Sequence, residues 1–343
     1  MRIQLWSGKK DVAVLLIFVA VLVFLVYVIT QPVGRVSQVK DLSHVADPVL
    51  LQQHVQYLST LPNGRSSSAS SSLSDAANYI DAAFREYCER VEEQAYTAHG
   101  AEVRNVSCIF APESRQTIVV GAHYDAYEDL PGADDNASGV AGIVELARLL
   151  ATASTTGAHR IELVAYTLEE PPYFRSPEMG SARHAKRLHD EGREIKAMLA
   201  LEMIGYYTET PKSQNYPIPF LVPFYPREGN FIAVISRFED IQLTREVKKL
   251  LKSALQIIDV HSFNAPEFIP GVDFSDHRSY WQYGFPAVMI TDTAWLRNEN
   301  YHKETDTYET LDYNKMADVV TSTYWAVRGL DCSSEGVLDE LCR

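Results

Sequence analysis

Residues Gly121–Gly139 read GAHYDAYEDLPGADDNASG. Before them stands the apolar run Thr117-Ile118-Val119-Val120, which has the composition of a short buried strand, and after them Val140 to Leu150 places apolar residues at helical spacing. The acidic stretch is therefore a strand-to-helix loop. In open α/β sheets such loops sit at the carboxyl ends of strands, where ligands bind. His123 and Asp125 are two apart, so a strand that runs on through them projects both side chains from one face. Asp134 and Asp135 follow in a glycine-bounded turn. A polar turn with a helix N-cap accounts for an isolated Asp-Asp-Asn triplet. It does not account for the His-x-Asp pair upstream. Imidazole with carboxylate is a ligand set of zinc, whereas closed structural zinc sites tend to use cysteine.

Working outward, the other ligand candidates also fall at strand ends or in loops. Glu169-Glu170 follows the apolar run 161–167, so the pair emerges where a buried strand finishes. Adjacent carboxylates repel unless a cation lies between them or protons are shared. Glu202 sits within Ala197-Met198-Leu199-Ala200-Leu201 and Met203-Ile204, where a free carboxylate is costly to bury, so it needs a partner. His302 lies in a polar loop before the last helical pattern, a place where a lone histidine is usually only solvated. Asp276-His277 is its rival, with a helix N-cap and first turn as the plain alternative.

Strand-like segments occur at 91–96, 103–110, 117–123, 161–167, 197–203, 231–236 and 287–290, and helical patterns at 49–61, 73–87, 139–151, 181–189, 244–257 and 313–328. Antiparallel strands first, then strands alternating with helices, predict a mixed, mostly parallel β-sheet covered on both faces, an α/β fold of one domain. The serine run Ser66 to Ser72 leads straight into an amphipathic helix and reads as an ordered loop rather than a tether.

A chain of 343 residues that is 46% apolar buries a large core, and its formal charge of -14 argues against nucleic acid as a partner. Val12 to Ile29 contains no charged residue. Eighteen residues at helical rise span about 27 Å, close to the roughly 30 Å core of a bilayer. The run exceeds a signal-peptide core and ends without a small-x-small site, so it reads as an uncleaved anchor. Arg2, Lys9 and Lys10 precede it, against Arg35 and Lys40 after it, which puts the N-terminus in the cytoplasm and the remainder in an extracytoplasmic, periplasmic position. The expected organisation is a cytoplasmic N-terminus (1–11), a transmembrane anchor (12–30), a juxtamembrane stalk (31–47), a catalytic domain (48–331) and a C-terminal tail (332–343). Four cysteines allow three pairings, with Cys88–Cys108 and Cys332–Cys342 as possible pairs.

Taken in order, His123-x-Asp125, the run Gly132 to Gly139, Glu169-Glu170, Glu202 in Leu-Glu-Met-Ile-Gly, Ser275-Asp276-His277 and a late His302 before Asp306-Thr307 resemble the dizinc exopeptidases of clan MH, the bacterial leucyl aminopeptidase type. The wider group includes glutamate carboxypeptidases and glutaminyl cyclases. The resemblance covers roughly residues 50 to 330. It implies a three-layer αβα domain with two Zn2+ ions per chain: Asp134 bridging them, His123 and Glu202 completing one, Glu170 and His302 the other. It also implies that Asp125 holds the His123 ring through its other nitrogen and that Glu169 is the general base. Peptides with a free N-terminus are the substrates so implied.

The chemistry asks for such an arrangement, since paired zinc ions lower the pKa of a water and polarise a carbonyl, and an unligated glutamate beside a ligated one can move the proton. One departure stands out. Some members place a tyrosine shortly before Ser-Asp-His to stabilise the oxyanion, whereas here the residues are Pro270-Gly271-Val272-Asp273-Phe274. Tyr206, Tyr207 and Tyr280 are the candidates for that task. Residues 208–230, with five prolines, are either part of a specificity pocket or a surface loop. Three rival readings stay open: a single-zinc glutaminyl-peptide cyclotransferase, a carboxypeptidase of the same fold, and a non-catalytic binding domain.

Overall fold

The computed structural model describes residues 9–39, 43–152 and 158–332. The first eight residues, Lys40 and Cys342, on which the charge asymmetry, the C-terminal tail and the second cysteine pair depend, lie outside the described residues.

Helix α1 (Lys9–Thr30) contains the 19-residue apolar stretch Val12–Thr30, of which only the last turns are partly covered by the rest of the chain, and is long enough to cross a membrane. Helix α2 (Pro48–Ser59) starts at Asp47, whose carboxylate accepts the Val49 amide at 2.8 Å, with Pro48 in the first turn where its missing N–H costs nothing. Helix α3 (Ser70–Tyr87) takes up the end of the serine run and buries Leu73, Ala76, Ala77, Ile80 and Phe84 along one face. Then follow β1 (Arg90–Ala98), β2 (Ala101–Phe110), β3 (Gln116–His123), α4 (Gly139–Thr152), β4 (Arg160–Tyr166), α5 (Gly180–Asp190) and β5 (Glu194–Glu202). The chain continues through β6 (Phe231–Ser236), α6 (Ile241–Ala254), β7 (Asp259–Asn264), α7 (His277–Trp281), β8 (Ala287–Thr291) and α8 (Tyr313–Cys332).

The eight strands form one mixed sheet in the order β1-β2-β4-β3-β5-β8-β6-β7. The β3–β4, β3–β5, β5–β8 and β6–β7 pairs are parallel, whereas β1–β2, β2–β4 and β6–β8 are antiparallel. Side-chain alternation divides the core in two. Ile118, Val120 and Ala122 join the layer built with α2, α3, α4, α6 and α8, while Val119 and Val164 join the layer built with α5 and α7. That is the three-layer αβα arrangement expected. Strand β7 lies outside the strand-like segments of the sequence, because Asp259-Val-His-Ser-Phe-Asn lacks a clean apolar pattern; as an edge strand it needs only one hydrogen-bonded neighbour, β6. Cys88 and Cys108 form a disulfide with Cα atoms 5.5 Å apart, tying the end of α3 to β2.

Strands β3, β4 and β5 are adjacent and parallel, so their carboxyl ends bring His123, the loop carrying Glu169 and Glu170, and Glu202 to one edge of the sheet.

Candidate active site

His123 is the last residue of β3 and is fully buried. Its Nε2 lies 3.4 Å from Asp135 Oδ1, 3.3 Å from Glu202 Oε2 and 4.0 Å from Glu169 Oε2. On the far side of the ring, Nδ1 is 3.1 Å from the Asp125 main-chain oxygen and 3.5 Å from its carboxylate. His302 Nε2 lies 3.1 Å from Asp135 Oδ2 and 3.3 Å from Glu170 Oε1. Two donor sets result, His123–Asp135–Glu202 and Asp135–Glu170–His302, each with its ligand atoms within 4.8 Å of one another. Asp135 belongs to both, with one oxygen toward each histidine.

The structure thus brings Asp135, and not Asp134 as expected, to the point between the histidines. The cause is the backbone after Gly132, which adopts a left-handed φ of +54° and leaves no room for a side chain: a Cβ there would lie 2.2 Å from the Asp135 carbonyl oxygen. Asp135 itself is extended (φ -104°, ψ 91°), so neighbouring side chains diverge. Asp134 turns inward, accepting the Gly205 amide at 2.9 Å and the Asn298 side-chain amide at 2.8 Å. Those two bonds make it a structural tie, and burial with the neighbouring Asp292 raises its pKa well above the usual carboxylate range.

Three atoms aimed into the site, His123 Nε2, His302 Nε2 and Glu170 Oε1, are buried without a hydrogen-bond partner among the described residues. Burial pushes Glu169 well above its ordinary pKa, with Glu170 and Glu202 repelling it further, and burial together with Asp135 pushes Glu170 up to about 8. Burial lowers the His302 imidazole, but Asp135 and Glu170 outweigh it and raise the ring to about 10. Such a set of carboxylates removed from water is an environment that wants positive charge at its centre. Nitrogen and oxygen donors in two sets that share a carboxylate fit a pair of zinc ions.

A model of peptidase family M28 matches residues 105–325. The chain belongs to peptidase family M28. Protein YfbL of Escherichia coli K12 is 46% identical to this M28 chain over 312 residues, covering 88% of the chain and 94% of that protein. Leucine aminopeptidase 1 of Uncinocarpus reesii is 27% identical over 249 residues, which cover 66% of the chain but only 57% of the fungal protein. Among solved structures, the LapA aminopeptidase of Legionella pneumophila superposes with a TM-score of 0.69 at 20% identity, over 88% of the chain and 78% of LapA. The glutaminyl cyclase of Porphyromonas gingivalis superposes with a TM-score of 0.61 at 19% identity, over 83% of the chain and 99% of the cyclase. At these identities the two structures share the M28 fold with the chain.

Around this M28 site lie supporting residues, and the first of them, Arg65, carries no signal in the sequence patterns. Arg65 is fully buried at the head of the serine run and donates to the carbonyl oxygens of Leu58, Tyr124, Pro131 and Gly132, holding the loop on both sides of the His123 and Asp135 positions. Asp306 accepts the amides of Asp134 at 3.0 Å and Asp135 at 3.2 Å. Asn136 donates to the Leu201 carbonyl and accepts the amides of Gly139 and Met203, fixing the turn against the end of β5. Asp125, besides bordering the His123 ring, accepts the amides of Glu169 at 3.0 Å and Glu170 at 2.9 Å and so sets where that pair emerges. Ser275 donates to Glu202 Oε2 at 2.7 Å.

His302 is stacked between Tyr127 (4.2 Å between centroids) and Tyr301 (3.8 Å), which hold its ring plane. His277, the rival ligand, points away: its Nε2 donates to the Val272 carbonyl at 2.7 Å. Of the tyrosines considered for the oxyanion, Tyr207 donates to the Ile204 carbonyl, and the Tyr280 hydroxyl is engaged with Tyr166 and His184. Beside Glu202 and Tyr301 opens an apolar cleft, lined among others by Leu221, Phe231, Ile235, Phe263, Met289 and Trp295. Residues 208–230 contribute Gln214, Tyr216, Leu221 and Tyr225 to its wall.

Proposed function

We propose that the chain is a zinc-dependent aminopeptidase, anchored in the cytoplasmic membrane by α1 with its catalytic domain on the periplasmic side, that hydrolyses N-terminal residues from peptides. The observation that carries this reading is the sharing of Asp135 between two donor sets, with Glu169 4.0 Å from His123 Nε2 and a member of neither set. Zinc held by His123, Asp135 and Glu202, and by Asp135, Glu170 and His302, would supply a water of lowered pKa and a polarised scissile carbonyl. Glu169 takes the proton of the attacking water and delivers it to the leaving amine. Asp125 keeps Glu169 and Glu170 in their separate roles by holding both main-chain amides. Asp125 and the Tyr127–Tyr301 stack fix the two imidazole planes. The apolar cleft next to Glu202 receives the side chain of the N-terminal residue, so large apolar residues are the preferred substrates.

A glutaminyl-peptide cyclotransferase is the second reading, favoured by the Asp135–Glu170–His302 set, which suffices for one ion. Full-length protein purified in detergent and given a library of free and N-blocked peptides, with and without chelator, separates them. Chelator-sensitive release of apolar N-terminal residues with two zinc ions per chain supports the aminopeptidase. Ring closure of N-terminal glutamine with one zinc per chain refutes it.

A further inference from the structure

Residues Pro219–Phe224, reading PFLVPF, turn three large apolar side chains to solvent: Phe220, Val222 and Phe224 are 47, 37 and 40% exposed, while Leu221 among them is buried. The Phe220 and Phe224 rings lie 5.3 Å apart, so they form one patch. A contiguous apolar patch on a soluble surface marks a contact site.

Its position names the partner. Tyr225, the next residue, donates its hydroxyl to the Ser262 carbonyl at 2.7 Å, and Ser262 Oγ donates to the carbonyl of Thr30, the last residue of α1, at 2.7 Å. Ser262 thus links the residue after the patch to the end of α1. That end is built into the fold. Lys248 Nζ donates to the carbonyls of Thr30 (3.0 Å) and Gln31 (3.2 Å), Gln31 is buried, and Ile29 packs on the cluster that contains Leu221 and Phe263. One turn earlier on α6, the Arg245 guanidinium sits 5.4 Å from the Tyr27 ring. An aromatic ring with a cation at the end of an apolar helix is the pattern of a residue pair at headgroup depth.

We infer that Pro219–Phe224 lies in the lipid interface beside α1, with Phe220, Val222 and Phe224 at the boundary between headgroups and acyl chains. The inference rests on the reading of α1 as a membrane span. The end of α1 and the residue after the patch are both tied to the buried Ser262, which holds the two apolar elements close to one another. Because Leu221 and Tyr225 also line the apolar cleft, the outer wall of the cleft is the element that touches the bilayer. The substrate side chain then enters next to the membrane surface.

The test uses the full chain in vesicles of phosphatidylethanolamine and phosphatidylglycerol. Single nitroxide labels are placed at Val222→Cys, at Phe18→Cys within α1 and at Lys212→Cys as an exposed control, each read against the parent chain. Collision with oxygen, which concentrates in lipid, is compared with collision with a water-soluble nickel chelate. The expected result is a label at 222 that favours oxygen, as at 18, while the label at 212 favours nickel. A nickel-accessible label at 222 with a lipid-exposed label at 18 overturns the inference and leaves the anchor intact. Water-exposed labels at both 18 and 222 refute the anchor and the inference together. A label at 222 shielded from both agents shows a protein contact and also overturns it.

Discussion

Asp135 Oδ2 stands 3.1 Å from His302 Nε2, joining the turn after β3 to the loop before α8 across more than 160 residues of chain. Its other oxygen faces His123, so loss of this one carboxylate opens both donor sets at once. Asp135→Asn is expected to lose bound zinc from both positions, with Zn per chain falling toward zero after dialysis, as metal analysis would read. Asp134→Asn keeps an acceptor for the Gly205 amide, gives up the bond from Asn298 and leaves both donor sets intact, so it is expected to retain zinc. Loss of zinc in Asp134→Asn with retention in Asp135→Asn would place the bridge at Asp134 instead.

The amides of Asp134 and Asp135 both end on the Asp306 carboxylate, which makes Asp306 the positioning residue of the bridge. Groups that orient a ligand from behind are worth about 10- to 100-fold in metal affinity. Asp306→Ala is expected to weaken zinc binding by about that range, measured by competition with a chromogenic chelator. An unchanged affinity would show that the turn holds its shape without those two bonds.

Glu169 and Glu170 are neighbours with different surroundings: Glu170 Oε1 is 3.3 Å from His302, while Glu169 approaches only His123, at 4.0 Å. Glu169→Gln is expected to bind zinc normally and to lose about 10²- to 10⁴-fold in kcat, the usual contribution of a positioned acid–base group. Glu170→Gln is expected to lose zinc instead. If Glu169→Gln turns over at the parental rate, another group moves the proton.

Much of this arrangement is legible in the chain before folding, and its limits are physical. The alternation of Ile118, Val119 and Val120 between two cores is a period of two, and Glu202 declares itself by standing alone in an apolar strand. Which of Asp134 and Asp135 faces the histidines depends on a left-handed glycine and an extended residue, and spacing cannot resolve neighbours. Arg65 is silent because its partners are four carbonyl oxygens, which every residue possesses. Strand β7 is hidden because edge pairing with β6 needs no apolar pattern.

Arg65 offers a stability test. Its guanidinium satisfies carbonyls of Leu58, Tyr124, Pro131 and Gly132, all in one buried place, and burial lowers its pKa to about 10 without discharging it at neutral pH. Arg65→Met leaves those acceptors unpaired, at a cost of about 3–5 kcal/mol, the range seen when one side of a buried polar set is removed. The midpoint of denaturant unfolding should fall accordingly, with Arg65→Lys intermediate because an ammonium cannot span four acceptors. A midpoint shift below about 1 kcal/mol would mean that water replaces the guanidinium.

Acid sensitivity follows from histidines held neutral. His54 on α2 is largely buried, its Nδ1 2.7 Å from the Tyr79 hydroxyl on α3, and burial lowers its pKa to about 4 against the small opposing pull of Glu86. The folded value lies below the unfolded value, so between about pH 6.5 and 4 the unfolded chain binds more protons than the folded one, and stability falls as the pH falls through that window. Full traversal of the window corresponds to at most about 3.4 kcal/mol for this one ring. His54→Gln keeps a polar partner for Tyr79 and removes the titration. Unfolding free energies of parent and variant, measured from pH 7.5 to 4.5, should therefore diverge in slope below about pH 6.5, the parent losing stability faster. Parallel curves would show that His54 takes up its proton over the same pH range folded and unfolded, and that the α2–α3 contact is open to water.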